Sequence, residues 1–357
     1  MTKPAREGRP PPLVDPPAAV VIDGGHQLGS FNAPIPRLNL ADAVTATGFR
    51  GCLARLARDL RTKEWEAVQF GNDEWFGLAA VYDAKVLGMV MTIAVHQQSG
   101  RIHRWINNTA PGAVSVARGL QGTASVGRSR AGSSTMINRL ERGLVRIEAR
   151  HRGSAGGPAL MLSGEGHSAA GGARHLAVCH PFTGERVLYT NKCLMPFHGE
   201  LRIGAEVVVF ADDRSFLILD DHHGEYPWPQ DYDWVTGARR DPDGALFGFN
   251  LTRNQVVDAD RYNENVVWVD GELHRLPAVT FARPHGVDQP WHISDRHGAV
   301  DVTFTPTVRS TRHVGPRHIL AEYHAPYGWF SGRIDAGGRT VVVDGLFGMG
   351  EKKRIRV

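Results

Sequence analysis

Eighteen residues, Leu217 to Trp234 (LILDDHHGEYPWPQDYDW), hold five carboxylates (Asp220, Asp221, Glu225, Asp231, Asp233), the adjacent pair His222 and His223, two tryptophans and two tyrosines. An apolar run, Phe216 to Leu219, leads into them as a buried strand would. A carboxyl buried beside aromatic rings has a raised pKa and can give up a proton near neutrality. Asp220 is therefore the candidate acid. Asp221, on the opposite face of a continuing strand, is expected in solvent. His222 and His223 titrate near neutrality and are candidate bases or proton relays, at most one of them entering a given pocket. Tyr226, Trp228 and Trp234 could line an apolar wall or cover a developing cation, with Pro227 and Pro229 stiffening the rim. Each candidate has a plainer alternative: a turn carboxylate, a surface histidine, a core aromatic.

Other polar residues could complete the site. Asn250, Glu264 and Asn265 are expected on neighbouring strands, where they could orient a hydroxyl or carbonyl, with Glu264 as partner base to Asp220. The alternative is a hydrogen-bond network tying strands together. Asn191 and Lys192 are candidate substrate-binding groups at a domain junction. The histidines at 285, 292, 297, 313, 318 and 324 lack the i, i+4 spacing of a helical zinc motif, so no metal site is assigned. No Walker loop, GxGxxG or GxSxG occurs, which places nucleotide-dependent chemistry and serine hydrolysis low.

The elements that must position these groups read mainly as strands. Leu53, Leu56, Ala57 and Leu60 recur at helical spacing and predict one short helix. From Lys63 onward, hairpin signals recur: turns follow Phe70 and Val95, and glycines at 244, 271 and 298 punctuate an antiparallel meander, with Phe347 to Val357 closing it. The loops 154–157 and 168–172 are expected to be exposed. A chain of 357 residues fits two domains. The expected division is a flexible proline-rich lead-in over 1–30, an N-terminal β domain over 31–194 and a C-terminal β-barrel over 195–357. Scattered basic residues and a net charge of +4 argue against nucleic acid. Three cysteines without a CxxC pair fit a reducing compartment. No run reaches membrane-spanning length and no signal peptide is evident, so a cytoplasmic protein is expected. The oligomeric state cannot be read from the sequence.

The chain resembles the DUF2804 family. The resemblance runs through Lys63-Glu64-Trp65, Gly77-Leu78-Ala79, Tyr189-Thr190-Asn191-Lys192, Leu219-Asp220, Gly224, Tyr226-Pro227, Asp233-Trp234, Gly248-Phe249-Asn250-Leu251, Glu264-Asn265, the 300–306 segment VDVTFTP and the 327–332 segment YGWFSG. His222 and His223 depart from it, standing where the family more often carries an aromatic residue and an arginine. The family is similar, distantly, to two-domain lipocalin-like proteins such as carotenoid 1,2-hydratases and tocopherol cyclases. That resemblance implies an all-β fold of two antiparallel lipocalin-like barrel or sandwich domains packed side by side. It also implies alkene protonation, or shaping of an apolar substrate, without a cofactor. The expected function is hydration, cyclisation or isomerisation of an apolar or amphipathic molecule (isoprenoid, polyketide or steroid-like) by acid/base catalysis. A non-catalytic carrier of a lipid or pigment, and a carbohydrate-processing enzyme with paired carboxylates, are the alternatives.

Overall fold

The computed structural model describes residues 10–44, 51–153, 157–168, 172–241, 244–269, 271–314 and 321–356. The expected loops at 154–157 and 168–172 lie largely outside them, as do residues 1–9 and His318. The described residues form two large antiparallel sheets, one curled nearly into a barrel and one into a half-barrel, with a two-stranded ribbon (Val21–Ile22 with Gly25–His26) and one α-helix. No helix among them is long and apolar enough to cross a membrane.

The first sheet is built outward from the strand Phe216–Gly224. It pairs on one side with Lys63–Gly71, which continues through the hairpin strands Trp75–Asp83, Gly88–His96 and Ile102–Thr109. On the other side it pairs with Val187–Ile203, which leads through Leu160–His167, Leu144–His151 and Gly132–Arg139 to Gln121–Arg128. The second sheet contains the Gln230–Arg240 and Leu246–Arg253 hairpin, and Leu346–Ile355 closes it against Gln230–Arg240.

Every residue of Phe216–Gly224 is buried, so both of its faces are covered. Leu217 and Leu219 point into the lumen of the first sheet with Phe70, Phe197 and Leu201. Phe216 and Ile218 point the other way, into an apolar layer shared with Tyr232, Trp234 and Phe347 of the second sheet. The polar residues that follow continue this alternation and are divided between the two sides.

Three expectations need correction. The division at 194/195 falls inside the Val187–Ile203 strand. The glycines bracketing it, Gly184 and Gly204, both have positive φ and form the hairpin turns at the two ends of that one long strand. The change of sheet comes between Gly224 and Gln230. The described part of the lead-in is anchored rather than loose. Val20 and Val21 are buried with Phe31 and Ile35, and the Pro11 carbonyl accepts a bond from Arg275 Nη1 (2.5 Å). The helix Cys52–Arg61 forms where its periodicity predicts, but rotated: Leu53 is 74% exposed, and Ala54 and Arg58 are buried instead. Arg58 Nε donates to the Ala41 carbonyl (3.2 Å), which turns that face inward.

The two sheets share one aromatic cluster, so they should unfold together. Phe76 of the first sheet lies edge-on to Tyr327 (5.9 Å) and Phe347 (6.1 Å) of the second. Phe76→Ala should cost about 3–5 kcal/mol and keep a single urea transition, with tryptophan fluorescence and far-UV circular dichroism coinciding. Two separated transitions would show that the sheets are energetically independent.

Candidate functional site

Asp220 and His222 face the layer between the sheets. Strand register sets Lys192 directly opposite Asp220 and Thr190 opposite His222. Lys192 Nζ makes a very short contact with Asp220 Oδ1 and lies 3.4 Å from Glu264 Oε2, which reaches in from the second sheet. His222 Nε2 is 2.8 Å from Asp220 Oδ1, 3.1 Å from Lys192 Nζ and 3.9 Å from Glu264 Oε2. Its other nitrogen, Nδ1, lies 3.3 Å from Tyr226 Oη. Lys192 Nζ stands 5.8 Å over the Trp234 ring, whose Nε1 donates to Asn250 Oδ1 (2.6 Å). Asn250 Nδ2 in turn donates to the Glu264 carbonyl (2.8 Å), which fixes both the indole and the backbone that carries the carboxylate.

This geometry reverses the role expected of Asp220. Burial alone would raise its pKa, but Lys192 and His222 outweigh that and hold the carboxyl well below the usual range. Glu264 is buried too and is likewise lowered, chiefly by Lys192. The Lys192 ammonium is held charged against its own burial by the two carboxylates. Two ionised carboxylates share one ammonium, and neither is a protonated acid. At this pair, the same fact weighs against the carbohydrate reading, which requires one carboxyl of the pair to hold a proton.

Four candidates lie elsewhere or serve other ends. His223 and Asn191 face the lumen, where Asn191 Oδ1 meets His175 Nδ1 (3.2 Å). Trp228 is 67% exposed, because the Tyr226–Pro229 connection passes outside the sheets and carries the ring to the surface. Asn265 accepts from Thr252 N (2.6 Å) and donates to the Pro277 carbonyl (2.8 Å), a strand tie. Asp221, expected in solvent, is fully buried. It was misread because the lumen face of a curled sheet alternates just as a solvent face does.

The lumen holds a second polar cluster that sequence reasoning missed. His223 Nε2 lies 2.8 Å from Asp221 Oδ1, and its Nδ1 lies 3.6 Å from Glu64 Oε1. Glu64 also pairs with Lys85 and with Arg118 Nε (2.7 Å) at the mouth of a cavity of about 520 Å³. Glu66 accepts from Ser125 Oγ and from Asn138 Nδ2 (2.9 Å). Burial and the neighbouring Asp221 push the Glu66 carboxyl up to about 8. Among the described residues the carboxyl pushed up is therefore Glu66, two strands from Val187–Ile203 and on the opposite face from Asp220. Its only sequence signal is the alternation of Glu64 and Glu66 in KEWEAVQF, which also fits a solvent face. On the interface side the missed residues are His180, whose Nε2 is 3.7 Å from Glu264 Oε1, and Asn254, which donates to Glu264 Oε1 (3.2 Å). Burial lowers the His180 pKa to about 4, so its ring is neutral.

Several buried polar atoms on the interface face have no hydrogen-bond partner among the described residues: Thr190 Oγ1, Tyr327 Oη and both side-chain polar atoms of Gln69. Gln69 pairs with Ile218, two residues along the strand from Asp220, or about 7 Å.

Residues 22–357 match the model of a family described as "Domain of unknown function (DUF2804)". Among solved structures, the fold is similar to that of CghA in complex with Sch210972, with a TM-score of 0.50 at 10% identity over 83% of this chain and 88% of that one. A second CghA structure gives a TM-score of 0.49, also at 10% identity and with the same coverage of 83% and 88%. Kievitone hydratase from Nectria haematococca gives 0.45 at 12% identity over 82% of this chain and 88% of that one. No curated protein matches the sequence.

Removing Lys192 leaves two buried carboxylates uncompensated. Lys192→Met should cost about 3–5 kcal/mol, read from the urea midpoint at pH 7, and Lys192→Met with Asp220→Leu should recover part of that loss. An unchanged midpoint in the single variant would show that the cluster is not held charged.

In the lumen, burial lowers the His223 pKa, but Asp221 and Glu64 outweigh it and hold the ring up at about 9. A histidine raised on folding stabilises fully below its unfolded value, and loses that contribution as pH rises through the folded one. Wild-type stability should therefore fall between pH 6.5 and 9, and His223→Gln should make that slope shallower, leaving the part that the raised Glu66 carboxyl contributes as it ionises. A slope as steep in His223→Gln as in wild type would show that His223 does not contribute to it, and would leave Glu66 as the group responsible.

Proposed function

From the premise that the chain belongs to the DUF2804 family, we propose that it is an acid/base enzyme of the hydratase, cyclase or isomerase type. Its substrate is an apolar or amphipathic small molecule held between the two sheets. The chain's own side chains move the proton, and no cofactor is invoked. The observation that carries this reading is His222, held between the ionised Asp220 carboxylate and the Tyr226 hydroxyl at the edge of an apolar layer.

Titratable groups brought together in a buried site by specific charge partners are functional candidates. Asp220 orients His222 through Nε2, while Nδ1 faces Tyr226. Burial, with the charges of Glu264 and Asp220 nearby, raises the Tyr226 pKa well above its ordinary value, so the phenol keeps its proton. In this reading a proton passes from His222 Nδ1 to Tyr226 Oη and on to an alkene or carbonyl oxygen, and returns by the same path. Trp234 and Tyr232 supply apolar walls. Gln69, Tyr327 and Thr190 supply polar atoms that ligand oxygens or nitrogens would satisfy. None of these residues lines the cavity of about 700 Å³ bordered by Pro10, Leu13 and Leu273, although Leu13 and Leu273 pack against the same apolar layer, and in this reading the substrate enters at the half-buried Tyr226. CghA, of similar fold, is recorded with Sch210972. A fold hosts many functions, so the reading rests on the site residues.

The test is isotope uptake from heavy water by a panel of isoprenoid, polyketide and steroid-like alkenes and enones, with binding followed by native mass spectrometry. Wild type should bind a member of the panel and place deuterium in it. His222→Gln and Tyr226→Phe should bind comparably and exchange at least about 100-fold more slowly. Binding without uptake by wild type would make the protein a carrier. Uptake unaffected by either variant would remove His222 and Tyr226 from the chemistry.

A further inference from the structure

On the outer face of the first sheet, far from the interface cluster in role, two imidazoles and two carboxylates converge. Glu165 and His167 are alternate residues of the Leu160–His167 strand and share a face, and register sets Glu165 directly opposite His198 of Val187–Ile203. Asp212 comes from the turn between Glu206–Phe210 and Phe216–Gly224. Its two oxygens face one histidine each: Oδ2 lies 3.5 Å from His167 Nε2, and Oδ1 lies 3.3 Å from His198 Nδ1. One ligand atom from each of His167, His198 and Asp212 lies within 4.8 Å of the other two. His198 Nε2 is 3.7 Å from Glu165 Oε2, and Arg146 Nε holds Glu165 Oε1 (2.5 Å).

We propose that His167, His198 and Asp212 form a binding site for one divalent transition-metal ion of the zinc class. Two imidazole nitrogens and a carboxylate oxygen suit zinc, copper(II) or nickel(II), and are a poor set for magnesium or calcium, which take oxygen ligands. Each Asp212 oxygen stands 3.3–3.5 Å from one imidazole nitrogen, about the separation of two ligands 2.0–2.1 Å from one ion, so Asp212 would meet the ion with both oxygens or turn to offer one, and the two imidazoles, within 4.8 Å, would close slightly around it. Two of the three donors sit on paired strands, so the ladder holds them in place before any ion arrives. Three protein ligands leave the remaining positions to water. Glu165, beside the outer nitrogen of His198, fixes that ring's orientation as outer-shell carboxylates do. His167 Nδ1 has no such partner among the described residues, so the site is supported on one side only. The ion would tie the 211–215 turn to the sheet, and that turn feeds directly into the strand carrying Asp220 and His222.

All three ligands are at least partly exposed, so alanine variants should fold. Tag-free, EDTA-treated protein titrated calorimetrically with zinc chloride should take up one equivalent at micromolar concentrations, and should show no heat with magnesium chloride. His167→Ala with His198→Ala should weaken zinc binding at least about 10-fold, as should Asp212→Ala, with circular dichroism unchanged. His285→Ala, at an exposed histidine elsewhere, should titrate like wild type. Zinc should also raise the thermal midpoint of wild type and not that of the double variant. Zinc binding equally strong in the double variant, or no saturable uptake by wild type, would overturn the proposal.

Discussion

The structure depends on one strand, Phe216–Gly224, having no exposed face. In an ordinary two-sided sheet, alternate residues go to core and water, and neighbouring polar residues cost little. Here both sides are dry, so each polar side chain on the strand must find a partner within the protein. Asp220 and His222 find Lys192 and Glu264 between the sheets, while Asp221 and His223 find each other and Glu64 in the lumen. The second sheet is part of that solution: without Glu264 and Trp234, the interface side of the strand would be exposed. Four consecutive polar residues thus fix which partners the rest of the chain must bring, and from which direction.

Most of the fold was legible because it follows from periodicity and turns. The hairpins around Gly71–Asp73 and Gln98–Gly100, the closing strand after Phe347 and the all-β class are local statements, and local rules suffice for them. The interface cluster was half legible. Asp220, His222, Lys192 and Glu264 do meet, and alternation correctly separated His222 from His223. What alternation cannot tell is whether the far face meets water or a lumen, so Asp221 was placed in solvent and Glu66 was passed over. The same limit explains the helix: its apolar stripe was read correctly, but one buried bond from Arg58 to the Ala41 carbonyl decides which face turns inward. Trp228 was misplaced because prolines on both sides make a rigid connection without specifying its direction.

Charge sorts the carboxyls in a way their types do not. Asp220 and Glu66 are both buried in strands of the first sheet, and burial pushes both toward the protonated form. Asp220 has an ammonium against it and is ionised. Glu66 has Asp221 nearby and is driven up. The deciding quantity is the sign of the nearest charge, and that charge lies on a different strand in each case. The sequence window around Asp220 contains no lysine, so nothing local announces that the expected acid is held ionised.

Stability does not account for the interface cluster. Removing ions from water costs several kcal/mol each, and buried ion pairs replaced by well-packed apolar residues often leave a protein equally or more stable. The surroundings here are already apolar and aromatic, with Ile218, Leu194, Tyr232 and Trp234 packed around the charges. Apolar residues at 192, 220, 222 and 264 would simply extend that layer. The arrangement keeps something such a layer would lack: an imidazole with a carboxylate on one nitrogen and a phenol on the other, fixed where the Thr190 hydroxyl, unpartnered among the described residues, also points. Lys192 makes this possible by allowing Asp220 and Glu264 to stay ionised side by side, so that one carboxylate oxygen is left to hold the imidazole in place.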